Sequence, residues 1–117
     1  MNSHKIDSID LAKIAVMAIA DKKGDQTVIF DFRERSYLTD IVIITSASNT
    51  PHLKALFNET YLRLKKNGVV CFRKAGVPDS GWIVADYFDI MIHFFINETR
   101  EYYALDELFK DAPRLTL

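Results

Sequence analysis

Two aspartates stand three residues apart in the stretch Asp86-Tyr87-Phe88-Asp89, between two apolar runs. Paired carboxylates can hold a divalent cation, or share acid and base duty, when their side chains converge. Side chains on one face of a strand recur at every second residue, however, and this pair is spaced by three. Aspartate also suits turns, where its carboxylate hydrogen-bonds nearby backbone. A turn or contact role therefore outweighs a metal. The second candidate is Ser46-Ala47-Ser48-Asn49-Thr50, which leads into Pro51. A helix N-terminus there would be receptive to an anion. A phosphate cradle needs glycines to admit close backbone approach, and this stretch has none. Capping and turn duty is the better reading, with Asn49 and His52 still available for an exposed contact. Of the three histidines, His4, His52 and His93, no two share metal-ligand spacing, and Cys71 is the single cysteine. His93 falls on the strand face of Met91 and Phe95, which predicts a hydrogen-bonded core histidine. There is no nucleophile–base pair, glycine-rich loop or metalloprotease motif. We therefore expect no catalytic residue, no metal and no cofactor.

The elements that must position these residues follow from periodicity. Asp7 or Ser8 can cap a helix running to Lys23, with Leu11, Ile14, Ala15, Ala18 and Ile19 on one face and Gly24 ending it in the left-handed conformation. Residues 27–32 and 41–45 are rich in β-branched and aromatic side chains and read as strands. The second is apolar on both faces, which predicts a covered position inside a sheet. Thr50 as N-cap and Pro51 at the first helical position open a helix whose buried face carries Leu53, Leu56, Phe57, Thr60, Tyr61 and Leu64. Asn67-Gly68 ends it. Residues 69–73 read as a third strand, 75–81 as a loop, and 82–86 and 90–95 as two more strands joined tightly through Tyr87-Phe88-Asp89. A last helix spans about residues 98–109. The order α-β-β-α-β-β-β-α implies an α/β (α+β) domain, a mixed sheet of about five strands flanked by helices.

Composition bounds the function. A chain of 117 residues suits a single domain over its whole length. Fifteen basic residues against sixteen acidic leave no basic excess over the whole chain, which argues against affinity built on phosphate neutralisation and against sequence-specific nucleic-acid binding. The lone Cys71 forms no internal disulfide and fits a reducing compartment; in its apolar run it reads as a small buried thiol. Residues 1–5 begin no signal peptide, and no apolar run approaches the roughly 20 residues that span a bilayer. A cytoplasmic protein is expected.

Several ordered segments resemble the Iojap family of ribosomal silencing factors over nearly the whole chain. They are Phe30-Asp31, Leu38-Thr39-Asp40, the strand up to Ser46 with Ser48-Asn49, then Trp82-Ile83-Val84-Ala85-Asp86-Tyr87, Asp89, His93-Phe94, Arg100, Tyr102-Tyr103, Leu105-Asp106-Glu107-Leu108-Phe109 and Asp111-Ala112. The resemblance implies a nucleotidyltransferase-like fold used for binding, not catalysis. It implies a translational repressor that binds the universal protein fourteen on the intersubunit face of the large ribosomal subunit and blocks joining of the small subunit. The implied contact residues are Trp82, Ile83, Val84, Asp86, Tyr87, Phe88 and Asp89, with Trp82 and Tyr87 as aromatic anchors. Asp40, Ser48, Asn49 and His52 form a secondary set. A metal-dependent nucleotidyltransferase working near Ser46 and Asp86, and a homodimeric scaffold, are the alternatives; a homodimer of the free protein stays open. Relative to the family pattern, Phe88 replaces a usual glycine, Ala75 a usual glutamate and Phe109 a common tryptophan.

Overall fold

Asp7 accepts the backbone N–H of Asp10 on its side chain at 3.0 Å, and this cap starts a helix at Ser8–Asp21, α1. The computed structural model describes residues 6–35 and 37–117; His4 and the rest of residues 1–5, and Ser36, lie outside the described residues. Leu11, Ala12, Ala15, Ala18 and Ile19 are the buried stripe of α1. Its exit differs from expectation. The left-handed residue is Lys23, at φ 61°, while Gly24 is needed for room. A Cβ on Gly24 would collide with the Ile19 side chain and lie 2.7 Å from Thr45 Oγ1.

The chain continues through strand β1 (Asp25–Asp31), strand β2 (Ile41–Ala47), helix α2 (Thr50–Lys66) and strand β3 (Arg73–Ala75). A 3-10 turn (Pro78–Ser80) then precedes β4 (Trp82–Asp86), β5 (Ile90–Ile96), and two short helices, α3 (Asn97–Tyr103) and α4 (Leu105–Leu108). The five strands form one sheet in the order β1-β2-β5-β4-β3. The pair β2–β5 is parallel and the other pairs are antiparallel. All seven residues of β2 are buried, as its doubly apolar pattern required.

Three expectations need correction. The cap of α2 is Asn49, whose Oδ1 accepts from His52 N at 2.8 Å, with Thr50 already helical. The third strand is Arg73–Ala75 and not residues 69–73, because β4 ends at Asp86 and offers no ladder to residues 69–71. Val69 instead folds back, donating its N–H to Leu64 O at 2.9 Å. The last helix is broken at Ala104, which adopts φ 51°.

Strand register sorts the side chains onto two faces. One face carries Ile43, Ile92, Phe94, Ile83 and Ala85 and is covered by α1 and α2, with Phe57 of α2 edge-on to Phe94. The other carries Phe30, Val42, Ile44 and Phe95 and is covered by the C-terminal segment through Phe109 and Ala112. Phe109 meets the rings of Phe30 and Phe32 edge-on at 5.6 and 5.3 Å. The tail then lies along β1, with Asp31 N donating to Pro113 O and Leu115 N to Ile29 O. Arg100 locks this cover in place. It is 8% exposed, grips both oxygens of Asp106 at 3.0 and 2.9 Å, and donates to Gln26 O and Ser46 Oγ.

Candidate docking site

The C-terminal cover reaches β4 at Trp82, through Tyr103, and leaves the rest of β4 and β3 open on this face. Along β4 burial therefore alternates: Trp82, Val84 and Asp86 are half-buried, while Ile83 and Ala85 are buried. The open strip continues onto β3 through the pairs Arg73↔Asp86 and Ala75↔Val84. Ile83, at 1% exposure, and Tyr87, at 5%, both belong to the helix-covered core. Both stand one position out of step with the open strip of Trp82, Val84 and Asp86, so the structure places their side chains in the core under α1 and α2 and not on that strip. Burial beside Cys71 pushes the Tyr87 phenol well above its ordinary pKa, so it stays neutral.

Trp82 is half-buried and holds this face together from its edge. Its ring stacks on Phe95 at 5.0 Å and packs against Tyr103 at 4.5 Å, and its indole N–H donates to His93 Nδ1 at 3.1 Å. His93 must therefore carry its proton on Nε2. His93 is a satisfied core histidine, as its position predicted. Burial pulls its pKa down to about 4. A shallow hollow of about 260 Å³ beside this stack is lined by Trp82, Val84, Tyr103, Ala75, Gly76 and Ser80.

At the other end of β4 the Asp86-Tyr87-Phe88-Asp89 turn is tightly pinned. Asp86 Oδ1 accepts from Phe88 N at 2.9 Å, and Tyr87 N donates to Ile90 O at 2.9 Å. This is the turn role expected of the first aspartate. Its second oxygen lies 3.6 Å from the Arg73 guanidinium. Asp89 O receives the N–H groups of Asp40 and Ile41, so Asp40 joins this end of the molecule. Asp7, Ser8, Asp40 and Asp89 line one hollow of about 280 Å³. Among the described residues, no group of three or more His, Cys, Asp or Glu side chains could hold a metal ion.

Phe88 stands at φ 68°, a conformation that bulky residues seldom adopt. Its ring is 62% exposed and packs against Phe72 at 4.0 Å between centroids. Phe72, 54% exposed, and Arg73 were not singled out in the sequence, where the run 69–73 reads as uniformly strand-like. Their signal lay in the end of the β4 hairpin, beyond which residue 72 has little to pair with.

Ser48, Asn49 and His52 lie elsewhere, after the far end of β2. Nδ1 of His52 accepts from Ser48 N at 3.0 Å, and Nε2 faces Lys22 O at 2.8 Å. A carbonyl only accepts, so Nε2 is the donor and His52 is a brace between α1 and α2. Ser46 and Asp86 also stay apart. They lie four residues apart in register and two strands across, which is on the order of 15 Å.

The fold and these side chains define an α+β domain with one sheet face covered by α1 and α2 and the other half open beside an acidic, aromatic turn. A family model described as "Ribosomal silencing factor during starvation" matches residues 5–117, and the chain belongs to that family. The ribosomal silencing factor of Halalkalibacterium halodurans is 29% identical over 108 residues, covering 92% of each chain. That of Haemophilus influenzae is 31% identical over 87 residues, covering 74% of this chain and 85% of its own. A crystal structure of a Chromobacterium violaceum protein superposes with a TM-score of 0.85 at 25% identity, covering 90% of this chain and 88% of that one.

Proposed function

We propose that this protein is a cytoplasmic translational repressor that binds the large ribosomal subunit through its universal protein fourteen and keeps the small subunit from joining. It acts as a steric plug and not as an enzyme. The observation that carries this reading is the open strip Trp82–Val84–Asp86, which runs along an otherwise covered sheet face to the acidic turn at Asp89 and Asp40. Partly exposed aromatic and aliphatic side chains beside carboxylates suit a basic protein surface. The aromatic part supplies buried area at low ordering cost, and the charges chiefly speed encounter. Ile83 and Tyr87 support the strip from beneath, while Ser48, Asn49 and His52 brace the α1–α2 end.

Sedimentation of lysate through a gradient tests the reading. The protein should travel with large subunits and be missing from joined ribosomes. Asp86→Asn keeps the acceptor that holds the turn at Phe88 but removes the charge, so binding should weaken most at low salt. Trp82→Ala should abolish co-sedimentation. Unchanged co-sedimentation of a folded Trp82→Ala variant removes the open strip from the interface.

A further inference from the structure

We propose that the Phe72–Phe88 ring pair is a rigid knob that seats in an apolar hollow on the partner protein, with basic side chains of the partner around its rim. The inference rests on the reading of the chain as a large-subunit-binding factor and extends it to a second anchor, specific to a chain with phenylalanine at this position.

Two large rings at 62% and 54% exposure lie 4.0 Å apart and cover each other, with the Arg73 guanidinium over Phe72. Val70, 65% exposed, lies two residues before Phe72 in the same connection. Exposed apolar side chains that adjoin one another, unlike single scattered ones, are a mark of an interaction site. The knob is also held still. The Asp86 carboxylate and the backbone bonds Tyr87 N to Ile90 O and Asp89 N to Tyr87 O fix the turn that projects Phe88. A side chain held in place before binding loses little freedom on docking. The left-handed backbone at Phe88 is where glycine would sit without strain, so a phenylalanine there is retained against a local cost.

Charge selects the class of partner. Asp86 lies in the turn, and Asp7 and Asp40 line the adjoining hollow with Asp89. The cation placed beside the rings is Arg73, whose guanidinium sits 5.5 Å from the Phe72 centroid and 3.6 Å from Asp86. Carboxylates on this side repel a nucleic-acid backbone and an anionic lipid surface alike. A protein with lysines and arginines around an apolar hollow satisfies both the rings and the acids.

The test measures binding of purified large ribosomal subunits to the full chain and to Phe88→Gly and Phe72→Ser, with thermal melts confirming that each variant folds. Each variant should lose about thirty-fold in affinity, the size of an interface hot spot. Phe88→Leu, which keeps an apolar projection, should recover part of it. If both ring variants bind like the parent while Trp82→Ala and Asp86→Asn fail, the knob is a bystander and only the strip docks. If the parent itself ignores large subunits, both the knob and the reading beneath it fall. If the ring variants alter only self-association in sedimentation equilibrium, the rings serve a second copy of this chain, and the proposal is overturned.

Discussion

Acidification should loosen this fold through one residue, His93. It is 8% exposed, and burial pulls its pKa down to about 4. In the unfolded chain a histidine titrates near 6.5. Above that value the imidazole is neutral in both states and folding is undisturbed. Below it the unfolded chain takes up a proton that the folded chain refuses, so stability falls as pH drops and the loss is complete near the folded pKa. Between about pH 7 and about pH 5 the two values give a loss of roughly 2 kcal/mol, and below pH 4 roughly 3 kcal/mol. Protonation would also end the hydrogen bond, because Nδ1 is the acceptor for the Trp82 indole N–H. Urea unfolding of the parent and of His93→Gln at the two pH values isolates the effect, since glutamine keeps a carbonyl acceptor for the indole and does not titrate. The chain has a single tryptophan, so its emission reports on this pair directly. The parent should lose about 2 kcal/mol more than the variant over that interval. Parallel losses in the two proteins would refute the assignment of the acid sensitivity to His93.

Two further outcomes follow from the geometry. Arg100→Met leaves Gln26 O and Ser46 Oγ without their donor and frees the partly exposed Asp106, a loss of roughly 1–3 kcal/mol; denaturant midpoints should fall, and backbone amides of residues 97–115 should exchange faster than those of β2 and β5. Phe88→Gly relieves a left-handed strain of about 1–2 kcal/mol, while the freer unfolded glycine gives back about 0.5–1 kcal/mol and the lost ring contact about 0.5–1.5 kcal/mol. The variant should melt within a few degrees of the parent, and a large destabilisation would show the rings to be structural.

What could be read from the sequence was whatever repeats locally. The doubly apolar pattern of β2 announced an internal strand, and the spacing of Leu53, Leu56, Phe57, Thr60, Tyr61 and Leu64 announced the inward face of α2, all buried except the half-buried Tyr61. The hidden parts depend on distant segments. Trp82, Ile83 and Val84 are all apolar, so nothing in their order says which of the two faces stays open. That is decided by where the cover built from residues 97–117 ends: past β5 it touches β4 at Trp82, through Tyr103, and leaves Val84 and Asp86 open. Once the open face is known, alternation places Trp82, Val84 and Asp86 on it and puts Ile83 beneath. The break at Ala104 has the same origin: Arg100 must reach Asp106 and Ser46 together, and a continuous helix would carry Asp106 past the guanidinium. The register of residues 69–73 failed because a strand needs a neighbour, and β4 had already turned.

Phe88 joins both kinds of information. As a departure from a usual glycine it was visible in the sequence, but its consequence was open, since a bulky residue could have reshaped the turn or added surface. The structure keeps the turn that a glycine would favour, at φ 68°, with the Asp86 carboxylate still bonded to the Phe88 N–H. The strain is therefore absorbed by the backbone and the ring is left outside against Phe72. A substitution whose strain and ring contact nearly cancel, and which leaves most of its ring exposed, brings the fold little, so any gain lies outside the chain, or there is none. Those alternatives differ in one measurable respect, because only the first makes subunit binding weaker in a Phe88→Gly protein that folds as well as its parent.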